Sequence, residues 1–276
     1  MPQKPKRTLI MGVINLTPDS FSNDGRLRKE FKPSDHLRFA RKLIKDGADI
    51  IDIGAESSRP GAKPISVKTE LARLIPTLRL LTSHCKVPIS VDTYKPEVAE
   101  EALEAGASII NNIRGLNPNK ALVKCVARFN AFLVLMHMRG TPLNMQKKVL
   151  YTDLMNEMIN ELRASVEFCL ENGIKKDRII IDPGIGFSKT MEGNLEILRF
   201  LDKMRILGCP ILIGVSRKSF IGTILNQPVG KRVMGTAASV AVAIAHGANI
   251  VRVHDVALMK EIVQMTDAIM YKQNYV

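Results

Sequence analysis

Eight short apolar runs that each end in polar residues constrain the fold of this chain more than any other feature of its sequence. Each run is rich in β-branched residues and almost continuously apolar, which is typical of strands buried on both faces, as in a parallel sheet. The runs are TLIMGVIN (8–15), DIIDIGAES (49–57), VPISVDT (87–93), SIINNI (108–113), AFLVLMHM (131–138), RIIIDPG (178–184), PILIGVSR (210–217) and NIVRVHD (249–255).

Helical patterns separate these runs. Apolar residues at helical spacing follow Ser34 as far as Gly47, and Pro96 opens the segment PEVAEEALEAG, which stops at Gly106. Since strand and helix alternate eight times without a linker or low-complexity segment, the sequence predicts a (β/α)8 TIM barrel that spans residues 1–276 as a single domain. An open doubly wound sheet is the alternative that the same alternation allows.

Composition and charge narrow the class of protein. The four cysteines are far apart and no pair has the spacing of a metal or redox site, which is typical of reduced thiols in the cytoplasm. No apolar run approaches the roughly 20 residues of a membrane span, and the N-terminus lacks the features of a signal peptide. The net charge of +13 is dispersed rather than interleaved with aromatic residues. We therefore expect a cytoplasmic protein that binds an anionic small molecule, not nucleic acid or a membrane.

In a barrel of parallel strands, the residues at the carboxyl ends of the strands meet at one mouth. Asp92 and Asp182 lie within apolar runs, where an unpaired carboxylate would be costly. A backbone group or a neighbouring arginine would explain either one alone, but the whole set at equivalent positions predicts a site. The set comprises Asn15, Glu56–Arg59, Asp92, Asn111, His137, Asp182, Ser216–Lys218, Arg252 and His254.

This set has two chemical halves. Asp92, Asn111 and Asp182 offer mainly hydrogen-bond acceptors, which suit a flat heterocycle that presents several N–H donors. The other half suits an anion together with a hard cation that prefers oxygen ligands. Its members are Arg59, Arg252, His254 and the amide of Asn15.

One motif is discarded. The segment PGIGFSKT (183–190) ends in Lys-Thr like a nucleotide phosphate loop, but Ser188 stands where that loop requires glycine. The segment also lacks the third glycine of a dinucleotide-binding turn. No nucleotide site is therefore predicted there.

A series of motifs in chain order identifies a family resemblance. The segments INLTPDSFS, ESSRPGA, SVDTYKPEV, IINNI, LMHMRGTP, DPGIGF, GVSRKSFIG and VRVHDV together resemble the dihydropteroate synthases of folate biosynthesis. The match runs from about residue 9 to residue 270, nearly the whole chain.

The resemblance implies a transferase that condenses 6-hydroxymethyl-7,8-dihydropterin pyrophosphate with p-aminobenzoate, giving 7,8-dihydropteroate and pyrophosphate, with Mg²⁺ as cofactor. The pterin-binding residues would be Asp92, Asn111, Met138, Asp182, Lys218 and Arg252. The pyrophosphate-binding residues would be Asn15, Ser58, Arg59, Arg252 and His254, with Asn15 also a ligand of Mg²⁺. The p-aminobenzoate pocket would consist of Phe21, Pro60, Phe187, Lys218 and Ser219.

The resemblance also implies a mechanism in which Asp182, Lys218 and Arg252 are catalytic. Cationic groups neutralise the leaving pyrophosphate, so the methylene–oxygen bond breaks in an SN1-like step to give a pterin-stabilised carbocation, whose charge Asp182 offsets. The loops 16–33 and 58–66 would close over the site. Similar proteins are sulfonamide targets and form homodimers through helices on the outer wall of the barrel.

The chain departs from the family pattern at four places. Ser58 stands where threonine is usual, Ala55 replaces a common glycine, and Asn112 replaces an aspartate. The segment FSNDGR carries one residue more than the family's Phe-Ser-Asp-Gly pattern, so either Asn23 or Asp24 takes the acidic role of that loop.

Two further readings stay open. A pterin-binding barrel of the corrinoid methyltransferase kind shares the fold, but it would leave SRKS and ESSRPG without a purpose. A non-catalytic pterin binder is expected to have lost one of Lys218, Asp182 or Arg252, and all three are present.

Overall fold

The computed structural model describes residues 7–17, 32–147 and 150–271, and within them the eight predicted strands all form. The seventh is the shortest, with two residues. The strands are β1 (Leu9–Asn15), β2 (Ile50–Gly54), β3 (Ile89–Asp92), β4 (Ile109–Asn112), β5 (Phe132–Met136), β6 (Ile179–Asp182), β7 (Leu212–Ile213) and β8 (Ile250–Val253).

The strands form a closed parallel barrel. Hydrogen-bonded neighbours follow the order β6-β5-β4-β3-β2-β1-β8-β7, and every pair is parallel. A parallel bridge between Ile181 and Ile211, with the Ile181 N–H donating to the Pro210 carbonyl at 2.9 Å, joins β6 to the start of the β7 segment. The predicted (β/α)8 barrel is therefore confirmed, and the open sheet is excluded.

Helices cover the outside of the barrel. Several begin where the sequence supplies a cap: the Ser66 and Thr190 side chains accept from backbone N–H groups of their first turns, and Pro96 is the first residue of its helix. Among the described residues, no helix is long and apolar enough to cross a membrane. The helices are α1 (Pro33–Lys45), α2 (Val67–His84), α3 (Pro96–Glu104), α4 (Lys120–Arg128), α5 (Leu154–Glu171), α6 (Met191–Arg199), α7 (Ser219–Leu225), α8 (Val233–Ala245) and α9 (Val256–Met270).

The barrel interior consists of an apolar layer below a polar one. Since side chains alternate between the two faces of a strand, residues two apart point the same way. The apolar layer comprises Met11, Ile50, Ile109, Val134, Ile180, Leu212 and Ile250. Two residues further along their strands lie Asp52, Asn111, Asp182 and Arg252. The strands therefore deliver polar side chains to the carboxyl-terminal mouth above a closed apolar floor.

Candidate active site

The centre of the polar layer is an ion pair between β2 and β8. The Arg252 guanidinium donates to the Asp52 carboxylate through Nε at 2.7 Å, and Nη2 also lies 2.7 Å from it. The same carboxylate accepts from Ser90 Oγ at 2.6 Å and from Asn111 Nδ2 at 3.4 Å. Asp52 has no exposed side-chain surface. It therefore orients Arg252 and the Asn111 amide, which the family resemblance assigns to the pterin.

Asp92 is the second carboxylate beside Arg252. Its Oδ2 lies 3.7 Å from the guanidinium, and 11% of its side chain is exposed. Burial and the neighbouring Asp52 charge raise the pKa of Asp92 well above its usual range, against the opposing effect of Arg252. Asp52 is therefore the carboxylate that holds the Arg252 guanidinium, whereas Asp92 is the carboxylate that retains its proton to higher pH.

Asp182 lies at the end of β6, where the chain turns sharply. Its Oδ1 accepts from the Gly184 N–H at 2.7 Å. Burial raises the pKa of Asp182, while that hydrogen bond and the charge of Lys218 oppose the rise. Gly184 has a φ of +68°, and a Cβ there would lie 2.1 Å from the His137 carbonyl oxygen, so the turn requires glycine.

Lys218 joins the β6 and β7 loops. Its Nζ donates to the Ile185 carbonyl at 2.8 Å and lies 4.1 Å from the centroid of the Phe187 ring. Burial lowers the pKa of Lys218 to about 8, against the attraction of Asp182. The structure therefore brings together Asp182, Phe187 and Lys218.

His254 is neutral at pH 7 in this arrangement. Burial and the nearby charges of Arg252 and Arg217 lower the pKa of His254 to about 4. Its Nδ1 lies 3.0 Å from Ser216 Oγ. The imidazole is thus uncharged beside these cationic groups, and its predicted contact with an anion would be made by an N–H group of a neutral ring.

The SRKS loop is braced from behind. Arg217, at a φ of +60°, pairs with Asp255 through Nε at 3.0 Å and Nη2 at 2.5 Å. Arg232 donates to the Arg217 and Lys218 carbonyls at 3.1 and 3.3 Å. These contacts fix the backbone that carries Lys218, and Ser219 follows as the exposed first residue of α7.

The Glu56 carboxylate anchors the loop after β2. Glu56 accepts from the Ile65 N–H at 3.0 Å, from Tyr94 Oη at 2.9 Å and from Lys95 Nζ at 2.5 Å. The Ser58–Pro60 stretch lies between Glu56 and Ile65, and Arg59 and Pro60 are exposed. In the part of the chain that the structure describes, the Arg59 guanidinium has no hydrogen-bond or ion-pair partner. Arg59 and Pro60 therefore lie on the exposed surface of this loop.

The remaining predicted residues take different places. Met138 is 3% exposed and packs with Ile113, Met136 and Met145, and Phe187 packs against this cluster. Asn15 ends β1 beside Gly54. Phe21, Asn23 and Asp24 lie outside the described residues.

The departure at Asn112 has a structural role. Asn112 is buried, and its Oδ1 accepts from the Arg114 N–H at 2.9 Å, which closes the turn after β4. Since Asn111 points into the barrel, its neighbour Asn112 points outward. The negative charge that an aspartate would carry at position 112 would therefore lie at this turn and not in the polar layer.

Sequence reasoning missed Asp52. The signal was present, because Asp52 is the one charged residue in the apolar segment IIDIG and has the interior position two residues after Ile50. Asp92 and Asp182 end their strands, where a parallel barrel places its site, whereas Asp52 lies in the middle of β2.

The described side chains at the barrel mouth fit a magnesium ion that is bound mostly by oxygens of the substrate. Residues 7–17, 32–147 and 150–271 contain no group of three or more histidine, cysteine, aspartate or glutamate side chains able to hold a metal ion. The side-chain amide of Asn15 makes no hydrogen bond with another described residue. Mg²⁺ commonly retains water and binds through few protein oxygens together with phosphates, so a single amide oxygen at the mouth is compatible with such a site.

Comparisons with known proteins agree with this geometry. The family model described as "Pterin binding enzyme" matches residues 11–254. A dihydropteroate synthase from Synechocystis is 46% identical over 96% of this chain and 91% of its own length. A Clostridium difficile dihydropteroate synthase, solved in the presence of pteroic acid, has a TM-score of 0.89 at 40% identity and covers 99% of this chain and 100% of its own. The Yersinia pestis enzyme in a sulfonamide drug complex has a TM-score of 0.89 at 38% identity, covering 95% and 94%.

Proposed function

The chain belongs to the pterin-binding enzymes and, among them, to the dihydropteroate synthases, and from this premise we propose which side chains carry out the reaction. The enzyme is a transferase that joins 6-hydroxymethyl-7,8-dihydropterin pyrophosphate to p-aminobenzoate. The observation that carries the assignment of roles is the polar layer of the barrel mouth, with Asp182 and Lys218 on one side of it and the Asp52–Arg252 pair on the other.

The pterin lies in the polar layer. Asp92, Asn111 and Asp182 accept from its ring N–H and amino groups, and Met138 packs nearby. Arg252, held by Asp52 through two atoms, stacks on the ring, and Lys218 contacts its edge. Buried acceptors in fixed positions discriminate strongly against rings that lack the matching donors, because such rings leave them unpaired.

The pyrophosphate lies above the carboxyl ends of β1 and β8. Its oxygens are held by Asn15, Ser58, Arg59, Arg252 and the N–H of His254, and the side-chain oxygen of Asn15 would bind Mg²⁺. Bound there, Mg²⁺ would neutralise charge on the departing phosphate oxygens. Arg59 reaches this position only when the loop after β2 closes, because in the described structure it is exposed.

The bond changes balance without a covalent enzyme intermediate. The methylene–oxygen bond breaks and its electron pair leaves with pyrophosphate, while the positive charge that remains spreads into the electron-rich dihydropterin. Asp182 lies where it offsets this charge. The p-aminobenzoate nitrogen then donates its lone pair to the methylene carbon and releases a proton. The pocket that presents this nitrogen is formed by Phe187, Lys218 and Ser219, and the exposed Pro60 joins it when the loop after β2 closes.

We further propose that the enzyme works as a homodimer in the cytoplasm. Large apolar side chains are exposed on two helices that pack against each other on the outer wall, α8 and α9. They are Met234, Val242, Leu258, Met265, Ile269 and Met270, with exposed fractions between 44% and 75%. Exposed apolar side chains on two adjacent helices suit contact with a second copy of the chain. The unpaired thiols of all four cysteines suit a reducing compartment.

A pyrophosphate-release assay tests the proposed function. Purified enzyme is mixed with dihydropterin pyrophosphate and Mg²⁺, with and without p-aminobenzoate. Release that depends on p-aminobenzoate, together with dihydropteroate formation, is expected. Pterin binding by calorimetry without release would instead indicate a pterin binder or a methyltransferase-like barrel. Addition of a sulfonamide then tests whether the unusual first loop still admits a competitor of p-aminobenzoate.

A further inference from the structure

A buried lysine lies behind the β6 loop, in the segment PGIGFSKT (183–190), for which the sequence predicts no nucleotide site. Lys189 is 4% exposed. Its Nζ lies 2.9 Å from the Phe187 carbonyl oxygen, 3.2 Å from the His137 carbonyl oxygen and 3.0 Å from His137 Nδ1. Three acceptors match the three N–H groups of an ammonium. The lysine therefore ties the β6 loop to the end of β5.

The histidine in this contact is itself fixed from α5. Because His137 Nδ1 accepts from Lys189, its Nε2 carries the proton and donates to Glu161, 3.0 Å away. Burial and the charge of Lys189 lower the pKa of His137 to about 4, so the imidazole is neutral. Glu161 pairs in turn with Arg139, which also reaches Glu157 at 2.6 Å. A continuous chain of polar contacts thus runs from α5 to Lys189.

The other side of Lys189 faces the substrate pocket through the backbone. The Phe187 carbonyl that it holds belongs to the residue whose ring lies 4.1 Å from Lys218 Nζ. Two residues earlier, the Ile185 carbonyl accepts from the same Lys218 Nζ at 2.8 Å. Rotation of the Phe187 peptide would therefore displace the Phe187 ring relative to the Lys218 ammonium.

We propose that Lys189 is a positioning residue for the p-aminobenzoate subsite, holding the Phe187 ring and the Lys218 ammonium in register for the arylamine. This rests on the proposed function and adds a determinant of the second substrate. Lys189 touches neither substrate and acts through the backbone of Phe187. The pterin contacts of Asp92 and Asn111 lie on other strands and do not depend on it. Lys218, the other pterin contact, keeps its hydrogen bond to the Ile185 carbonyl and the support of Arg232 when Lys189 is lost, so what moves is the Phe187 ring.

The protonation of Lys189 gives this role a pH dependence. Burial lowers the pKa of Lys189 to about 7; Asp182 and Glu161 oppose the shift, and Lys218 and Arg139 add to it. A neutral amine has two N–H groups for three acceptors, so one of the ties is lost as pH rises. The KM for p-aminobenzoate should therefore increase as pH rises through about 7.

The test is Lys189→Met, which keeps the side-chain length and removes the donors. Loss of the tie to the loop should raise the KM for p-aminobenzoate about tenfold. The affinity for dihydropterin pyrophosphate, measured by calorimetry, should stay within about twofold. The part of the rise of this KM that lies near pH 7 in the wild type should be absent in the variant, whereas the part that follows Lys218, with its pKa of about 8, should remain in both proteins. Lys124→Met, at an exposed position on α4, is the matched control and should change none of these quantities.

Other outcomes overturn the proposal. A lower Tm with an unchanged KM for p-aminobenzoate would mean that Lys189 only stabilises the fold. An equal loss of affinity for p-aminobenzoate and for dihydropterin pyrophosphate would mean that the whole barrel mouth is disrupted. If Lys189→Met does not fold, Glu161→Gln weakens the same chain of contacts from its partly exposed end and should raise the same KM by a smaller factor. Absence of wild-type turnover would refute the proposed function instead, and calorimetric p-aminobenzoate affinities of wild type and variant would still decide the role of Lys189.

Discussion

Replacement of Asp52 by asparagine tests whether the fully buried carboxylate orients Arg252. The amide keeps the size and one acceptor oxygen but removes the charge that faces Nε and Nη2, each 2.7 Å away. Arg252 is then left with Asp92, whose carboxylate lies 3.7 Å from the guanidinium. Because the repulsion from Asp52 is gone, the pKa of Asp92 should fall, and Asp92 should take over part of the pairing.

The size of the effect follows from the burial of the pair. Removal of one partner from a buried ion pair costs about 3–5 kcal/mol. Since Asp92 compensates in part, Asp52→Asn should lower the free energy of unfolding by about 2–3 kcal/mol, and the Tm by about 4–10 °C for a chain of this size. The loss of orientation at Arg252 should lower kcat/KM for the pterin substrate by about tenfold to a hundredfold.

Urea unfolding and steady-state kinetics measure both quantities. Ser90→Ala is the matched control, because it removes the 2.6 Å hydrogen bond to the same carboxylate and leaves the ion pair intact. It should cost only about 1 kcal/mol and change kcat/KM little. If Asp52→Asn resembled Ser90→Ala in stability and in kcat/KM, the ion pair would not be what positions Arg252.

Three further predictions follow from the site. Asp182→Ala and Lys218→Ala should each abolish turnover while the protein stays folded; near wild-type activity in either variant with unchanged thermal unfolding would refute the site assignment. His254 has a native pKa of about 4, below its unfolded value of about 6.5, so the unfolded state binds more protons between these values and stability falls as pH drops through this range. In His254→Gln the free energy of unfolding should fall by on the order of 2–3 kcal/mol less than in the wild type between pH 7 and 4. If the free energy of unfolding fell equally with pH in both proteins, the lowered pKa of His254 would be contradicted. Chelation of Mg²⁺ should stop pyrophosphate release and leave the Tm unchanged, because the described side chains form no metal cage; a large fall in Tm would indicate a structural ion.

Much of the fold follows from the sequence for a local reason. Strands buried on both faces must be nearly continuous in their apolar character, and the helices between them carry helical spacing and terminal caps, so these patterns alone predict the positions of β1 to β8. The convergence of Asp92, Asn111 and Asp182 could also be predicted, because burying a polar side chain at the end of an apolar strand is costly unless it has a binding partner. The family motifs then supplied the substrates.

Tertiary structure alone decided which charges meet. Arg252 and Asp52 are 200 residues apart in the chain, and only closure of the barrel brings β2 and β8 to opposite sides of β1 with both side chains pointing inward. Lys189 looked like the end of an imperfect phosphate loop, yet it is buried against three acceptors of His137 and Phe187. Local sequence specifies strands and turns through short-range sterics and hydrophobic spacing. Pairing and protonation depend on burial and on neighbours that are distant in the chain, and these exist only once the barrel has closed.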